Sequence, residues 1–163
     1  METSDSIYFF GVRDSFAFLS NFYKCNFIEK GVLYNCSEQY FMYHKCKTFE
    51  PTNESLLNKI ITETSPTMIK KYGRLVKNFN DEKWNEIKYD IMYNAIKLKF
   101  HQNNDIYIQL LETKNKNLYE ASPYDTIWGI GISVKDAANR KHRGLNMLGK
   151  LLMKFRNEEL IKL

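Results

Sequence analysis

The chain has 163 residues, of which 44% are hydrophobic and 15% aromatic. This length and composition predict one domain spanning residues 1–163, with a core over about residues 7–158. No run of about 18 apolar residues occurs, which excludes a transmembrane helix and a membrane partner. The segment Met1–Ser6 is polar and acidic, unlike a secretory signal, so we expect an intracellular protein, in the cytoplasm or the nucleus.

The cysteine and histidine pattern predicts a reduced protein without a metal site. Three cysteines form an odd set without close metal-type spacing, and the three histidines are dispersed. These residues are Cys25, Cys36, Cys46, His44, His101 and His142. We therefore expect neither a metal nor a cofactor.

The formal net charge is +5, and part of the excess is local. Lys135, Arg140, Lys141 and Arg143 lie close together, with His142 among them. A solvated basic loop is one interpretation. A surface that meets phosphate, on a small nucleotide or on nucleic acid, is the other.

In the first half of the chain, a strand is predicted at Ile7–Phe10. A hairpin turning at Gly31 follows, and then a helix capped by Asn35 or Ser37 that runs to about Lys47. Helical spacing also occurs at residues 56–61. Ser65-Pro66 marks the start of a short helix that Gly73 ends.

In the second half, Asp81 can cap the longest helix, whose apolar residues recur every three or four positions. Another helix begins at Ile106, a short strand is predicted at Leu118–Ala121, and the last helix covers about Leu145–Glu158. These elements predict an α+β fold, mainly helical, with helices packed around a small sheet.

The segment Leu118–Gly131 carries the most chemistry. It brings two carboxylates, Glu120 and Asp125, next to the indole of Trp128. Asp125 falls in the loop after the predicted strand, where reactive groups are often placed. Gly129 allows a backbone to approach a ligand closely. The arrangement suits a pocket for a sugar or nucleotide, although such pairs also occur in plain turns.

Glu38 and Lys45 lie seven residues apart on one predicted helix, so both project from the same face, about 10 Å apart along the axis. They could bracket a ribose phosphate. Alternatively, Glu38 has a capping-box-like role with Asn35, and Lys45 is a solvated lysine.

Arg13, Ser20 and Asn21 are candidates for contacts with phosphate or ribose, because a guanidinium suits phosphate and short polar residues interrupt an aromatic run. Ser20 and Asn21 could instead satisfy local backbone groups. Arg74 could contact phosphate or stabilise a helix end, and Trp84 could stack on a base or pack in the core.

The motif Gly144-Leu-Asn-Met-Leu-Gly149 opens the last helix. Free backbone N–H groups at that helix start could bind an anion, and Asn146 is the candidate binding side chain of the motif.

In order and spacing, these segments resemble the NADAR (YbiA-like) family from about Phe10 to Arg156. The matching stretches are Leu19–Tyr23, Tyr34–Lys45, Gly73-Arg74, Trp84, Met92, Lys99-Phe100, Glu120–Ser122, Asp125, Trp128–Gly131 and Gly144–Gly149. Two departures concern the substrate mouth: His142 stands where the family often has tryptophan, and the insert Ser133–Lys141 is longer than in compact bacterial members.

The resemblance implies an α+β fold and hydrolysis of an N-glycosidic bond. Implied substrates are ADP-ribosylated guanine, also within DNA or RNA, or ribosylated intermediates of riboflavin biosynthesis. The residues on the family's site pattern are Glu38, Lys45, Trp84, Glu120, Asp125 and Trp128. Asp125 or Glu120 would stabilise the sugar cation, Glu38 would handle water or a proton, and Lys45 would bind the sugar or attack its aldehyde.

Three other functions stay open from the sequence: a non-catalytic module that binds ADP-ribose or a nucleotide, a basic nucleic-acid-binding protein, and a structural protein without a pocket. The sequence leaves the oligomeric state open.

Overall fold

The computed structural model describes residues 1–163, and the chain divides into two compact units. One unit combines residues 1–23 with 104–163, and we call it the split unit. The other holds residues 24–103, and we call it the inserted unit. The elements of the whole chain are β1 (Ser6–Phe9), β2 (Phe27–Glu29), β3 (Val32–Tyr34), α1 (Ser37–Phe49), α2 (Glu54–Thr62), α3 (Pro66–Gly73), α4 (Asp81–His101), α5 (Asn104–Glu112), β4 (Asn117–Glu120) and α6 (Met147–Ile161).

The predicted α+β class is confirmed: six helices accompany very little sheet. That sheet consists of two separate pairs. β1 and β4 pair in parallel in the split unit, with Ile7 opposite Leu118, and β2 and β3 form an antiparallel hairpin in the inserted unit. The prediction of a single domain stays a prediction. No helix combines the length and apolarity needed to cross a bilayer.

The inserted unit is built around α1, which packs against α2, α3 and α4. The hairpin is confirmed, with Lys30 and Gly31 both at positive φ, as a tight turn between twisted strands requires. The helix from Ser65-Pro66 to Gly73 is also confirmed. The Ser65 hydroxyl caps it by accepting a hydrogen bond from the Met68 N–H, and Pro66 fits the first turn because the N–H that proline lacks would have no partner within the helix.

Two helix starts differ from the predictions. The cap of α4 is Asn80 rather than Asp81, since the Asn80 side chain accepts the Lys83 N–H at 2.9 Å. α1 begins after Cys36, whose side chain makes no capping bond, so neither Asn35 nor Ser37 caps it. The Gln39 side chain instead reaches back to the Asn35 N–H at 2.7 Å. The capping-box bond to the Asn35 N–H, which was predicted for Glu38, is therefore made by Gln39.

In the split unit, α6 packs across β4, and α5 packs against α6. α6 buries Leu148, Leu151, Leu152 and Phe155, as predicted, but it begins at Met147 because Asn146 adopts left-handed backbone with φ 54°. The helix crosses β4 so closely that a Cβ on Gly149 would lie 2.0 Å from the Leu118 carbonyl oxygen. Only glycine permits this approach.

Candidate functional site

The predicted site residues fall into two groups, one in each unit. Glu38, Lys45, Arg74 and Trp84 belong to the inserted unit. The split unit holds Arg13, Ser20, Asn21, Glu120, Asp125, Trp128, Gly129 and Asn146. Convergence of the two groups on one substrate stays a prediction.

Glu38 and Lys45 both lie on α1, as the spacing predicted. Glu38 is buried, with 8% of its surface exposed, and Lys45 is half-buried. The helical rise places them about 10 Å apart along the axis. The negative charge of Glu38 acts on the pKa of Lys45 and raises it.

Lys45 is held in place by its surroundings rather than free in water. Its Nζ donates a hydrogen bond of 2.9 Å to the Gly73 carbonyl oxygen at the end of α3 and lies 4.7 Å from the centre of the Phe79 ring. Burial lowers the pKa of Lys45 below its ordinary value, Glu38 opposes that shift, and Arg74 adds to it. An amine that is held in position can donate a hydrogen bond to a ligand, and one that loses its proton more readily can also act as a nucleophile.

Phe79 also shapes the surroundings of Lys45 and Trp84, although it was not among the predicted site residues. It lies in the segment between α3 and α4, directly after Asn78 at positive φ, and it reaches both Lys45 and Trp84. No local motif marks it, because its importance arises from contacts with residues 34 and 5 positions away.

Trp84 packs in an aromatic cluster and is only 8% exposed. Its ring centre lies 4.9 Å from Phe41, 6.0 Å from Phe49 and 6.4 Å from Phe79. This packing agrees with the core interpretation, and stacking of Trp84 on a substrate base stays a prediction. Arg74, by contrast, is exposed at the C-terminal end of α3, where its charge also suits the helix dipole.

In the split unit, the loop after β4 is fixed by Asp125. Its Oδ1 accepts the N–H groups of Ile127 at 2.9 Å and Trp128 at 2.8 Å, and its backbone carbonyl accepts the Gly131 N–H. Such an Asx turn orients the carboxylate. Asp125 is half-buried, and its other oxygen, Oδ2, makes no hydrogen bond to the protein.

Gly129 of this loop allows two backbone carbonyl groups of the protein to approach it closely. A Cβ on Gly129 would lie 2.9 Å from the Glu120 carbonyl oxygen and 3.0 Å from that of Asp125. The space that glycine leaves is thus taken by the protein's own backbone, and an approach of substrate to Gly129 stays a prediction. Glu120 ends β4 and is half-buried, with its carbonyl accepting the Ile130 N–H at 2.9 Å.

Asn146 links the last helix to β4. Its Oδ1 accepts the Glu120 N–H at 3.0 Å, and its Nδ2 donates to the Leu118 carbonyl oxygen at 2.9 Å. Asn146 is 5% exposed. These bonds support a role in positioning Glu120, and direct contact of Asn146 with substrate stays a prediction.

The expectation of an anion site at the start of α6 is wrong. Backbone N–H groups there donate to backbone carbonyls of the Asp125 loop: Leu145 to Thr126, Met147 to Ile127 and Leu148 to Trp128, at 2.8 to 3.1 Å. Since these donors are already used, they cannot take an anion. These hydrogen bonds instead hold the start of α6 against the loop that carries Asp125 and the half-buried Trp128.

The remaining candidates lie between β1 and Tyr23. Arg13 is exposed in a bend, whereas Ser20 and Asn21 are buried after the 3₁₀ turn Ala17–Leu19. The Ser20 hydroxyl accepts the Phe22 N–H at 3.1 Å, as expected if it satisfies local backbone. Phosphate or ribose contacts by these three residues stay predictions.

The chain is similar to proteins named for N-glycosidase activity and for riboflavin biosynthesis. The chain is 40% identical over 169 residues to "N-glycosidase R617" of Acanthamoeba polyphaga mimivirus, covering 97% of this chain and 98% of that protein. It is 36% identical over 128 residues to the maize (Zea mays) "Riboflavin biosynthesis protein PYRR, chloroplastic", covering 76% of this chain and 19% of that protein.

The fold is similar to that in the NMR structure of the E. coli protein YbiA. The TM-score is 0.79 with 26% sequence identity, covering 99% of this chain and 89% of that chain. The family model described as "NADAR domain" matches residues 8–160. The chain therefore belongs to the NADAR domain family.

Proposed function

We propose that this chain is an N-glycosidase that hydrolyses the C1′–N bond between a ribose, as phosphoribose or ADP-ribose, and a nucleobase-like group. The observation that carries the proposal is the arrangement on α1, where the buried carboxylate of Glu38 acts electrostatically on the half-buried amine of Lys45. The match to a protein named N-glycosidase over nearly the whole of both chains supports it.

Cleavage of a C1′–N bond creates positive charge on the ribose and negative charge on the departing base, so an enzyme must stabilise both. Asp125 is suited to the ribose, because two N–H bonds fix one of its oxygens and leave Oδ2 without a protein partner. Glu120 is the other carboxylate proposed for this role. The same electrostatics govern pairs of carboxylates in glycoside hydrolysis.

Glu38 is proposed to orient the attacking water and to take its proton. Lys45 donates a hydrogen bond to the sugar. In a second route, the neutral Lys45 amine attacks C1′, the C1′–N bond breaks and the base leaves with a proton. The ring then opens at the C1′–O4′ bond to give an imine between Lys45 and C1′, and water hydrolyses this imine to the sugar aldehyde and the free amine. The lowered pKa of Lys45 favours the second route, since deprotonation gives the nucleophilic amine, whereas either form of the group can donate a hydrogen bond to the sugar.

Trp128 is proposed to stack on the base, because it is half-buried and its backbone is fixed by Asp125, whereas Trp84 is surrounded by phenylalanines. Arg13 and Arg74 are proposed phosphate contacts, since both guanidinium groups are exposed. Other proposed substrate contacts are Ser20, Asn21, Trp84, Gly129 and Asn146.

Two substrate classes are proposed, and both carry a ribose attached to a base-like nitrogen. The first is ADP-ribosylated guanine, free or within DNA or RNA. The second is a ribosylaminopyrimidine phosphate, which is consistent with the match to a protein named for riboflavin biosynthesis.

The test is release of the base, followed by chromatography, from ADP-ribosylated guanosine and separately from a ribosylaminopyrimidine phosphate. Glu38→Gln and Asp125→Asn remove charge without changing size. We expect each to lower turnover by about 100-fold or more while the protein stays folded. Glu86→Gln and Asp90→Asn, on exposed positions of α4, are matched controls that should keep full turnover.

Full activity in Glu38→Gln and Asp125→Asn would reject the proposed roles. If the wild type binds ADP-ribose but releases no base from either substrate, the chain is a binding module, and the two substitutions should then change affinity alone. Borohydride trapping of a sugar on Lys45 would separate the imine route from direct hydrolysis.

A further inference from the structure

A concave surface lies in the split unit, on residues that have no proposed catalytic role. It is a cavity of about 580 Å³ lined by Ile132, Arg140, Lys141, His142 and Arg143. Four of these five side chains are basic, and none is a residue proposed above for catalysis or substrate binding. The cavity therefore needs its own explanation.

Packed aromatic rings support one wall of the cavity. The His142 ring meets Tyr119 edge-on at 4.8 Å between ring centres and Tyr8 at 6.2 Å, while the two tyrosines stack on each other at 5.2 Å. The His142 Nε2 lies 3.0 Å from the Ala137 carbonyl oxygen. Since a carbonyl only accepts, Nε2 carries the hydrogen. The ring orientation is thus fixed by packing and by one hydrogen bond.

The charges that line the cavity are only weakly neutralised. Arg140 lies 3.7 Å from Asp136, but the Arg140 side chain is 64% exposed, so the pair contributes little. Lys141 and Arg143 are exposed and make no ion pair. Like charges collected in a concave surface raise the local positive potential and attract anions, and guanidinium forks match phosphate oxygens.

The cavity is anchored to the loop that carries Asp125. The N–H groups of Arg143 and Gly144 both donate to the Ile130 carbonyl oxygen at 2.8 Å. A Cβ on Gly131 would lie 3.2 Å from the Arg143 Cβ, so the two segments touch. The backbone of Arg143 is therefore held against the Asp125 loop.

We infer that this cavity is a phosphate-binding site. Its ligand chemistry is the phosphate group, presented either by the backbone of a nucleic acid strand or by a free nucleotide. The inference does not depend on the proposed N-glycosidase activity, because it concerns binding of unmodified phosphate compounds.

The test compares two triple variants with equal change of charge. Arg140→Gln/Lys141→Gln/Arg143→Gln removes the cavity cations. Lys59→Gln/Lys83→Gln/Lys114→Gln removes three exposed lysines elsewhere and is the control. Fluorescence anisotropy with a labelled short oligothymidylate, and calorimetry with ADP, measure affinity at several salt concentrations.

We expect the cavity variant to lose about tenfold or more in affinity for at least one probe, and the control variant to lose much less. For the oligothymidylate, the slope of log affinity against log salt should become shallower by about 2, since each single-strand phosphate contact contributes about 0.7. Loss for the oligothymidylate alone identifies the nucleic acid backbone, and loss for ADP identifies a free nucleotide.

The inference is overturned if the wild type binds neither probe at low salt, or if both triple variants are weakened equally. Thermal unfolding checks that the cavity variant is folded, as its exposed positions lead us to expect. If the cavity variant does not fold, the single variant Lys141→Gln replaces it in the test. Its slope of log affinity against log salt should then be shallower than that of the wild type by about 0.7.

Discussion

Asn146 offers the sharpest test of how the split unit is held together. Replacement by alanine leaves the half-buried Glu120 N–H without its acceptor and the buried Leu118 carbonyl without its donor, at bond lengths of 3.0 and 2.9 Å. Each lost bond costs about 1 to 1.5 kcal/mol. Alanine at φ 54° adds about 1 kcal/mol, because its Cβ disfavours left-handed backbone. We expect a total loss of about 3 kcal/mol.

The assay is urea unfolding followed by circular dichroism, supported by thermal scans, in which this loss corresponds to roughly 10 °C for a chain of this size. Asn146→Gly removes the same bonds but tolerates the backbone angle, so it should cost about 1 kcal/mol less than alanine. The control is Asn115→Ala, an exposed position that should change stability by less than about 0.5 kcal/mol. If Asn146→Ala is as stable as the control, or if Asn146→Gly costs nothing, the hydrogen bonds do not carry the stability assigned to them.

Three further predictions follow from other contacts. Gly144→Ala should destabilise by about 3 kcal/mol in urea unfolding, because its Cβ would lie 2.1 Å from the Gly129 carbonyl oxygen. Gly11→Ala meets no atom within 4 Å, so it should cost only the backbone strain of alanine at φ 72°, about 1 kcal/mol. Burial lowers the pKa of His44 below 6.5, so the unfolded chain binds the proton more readily than the folded chain, and the free energy of unfolding falls as pH drops below about 6.5. His44→Phe should make this fall with pH less steep when urea unfolding is measured at several pH values. Equal dependence on pH in the two proteins would contradict this account. Lys45→Met should lower base release by about 100-fold or more with little change in thermal midpoint, and retained turnover would exclude both roles proposed for the amine.

The local elements were predictable because they depend on neighbouring residues. Ser65-Pro66 starts α3 and Gly73 ends it, the hairpin turns at Gly31, and α6 buries the predicted apolar stripe. Capping was less predictable where adjacent residues have similar chemistry. Asn80 and Asp81 are both good caps, and the choice depends on which backbone position leaves the helix.

The candidate site was predictable as a set of residue types but not as a set of contacts. Spacing alone placed Glu38 and Lys45 on one helical face, and the order of motifs indicated the family that the comparisons confirm. The partners of Lys45, namely the Gly73 carbonyl and the Phe79 ring, come from segments with no local signal. The failed expectation of an anion site at α6 has the same origin, because the carbonyls that occupy its donors belong to residues 126–128.

The sequence by itself determined the helices, the hairpin, the apolar stripes and the family, since these follow from short-range periodicity, turn chemistry and motif order. Only the tertiary structure decided that β1 pairs in parallel with β4, although residues 24–103 separate them in sequence, and that the Asn146 amide bonds to β4. Backbone groups of distant segments satisfy one another there, and no local pattern of side chains encodes which donor meets which acceptor.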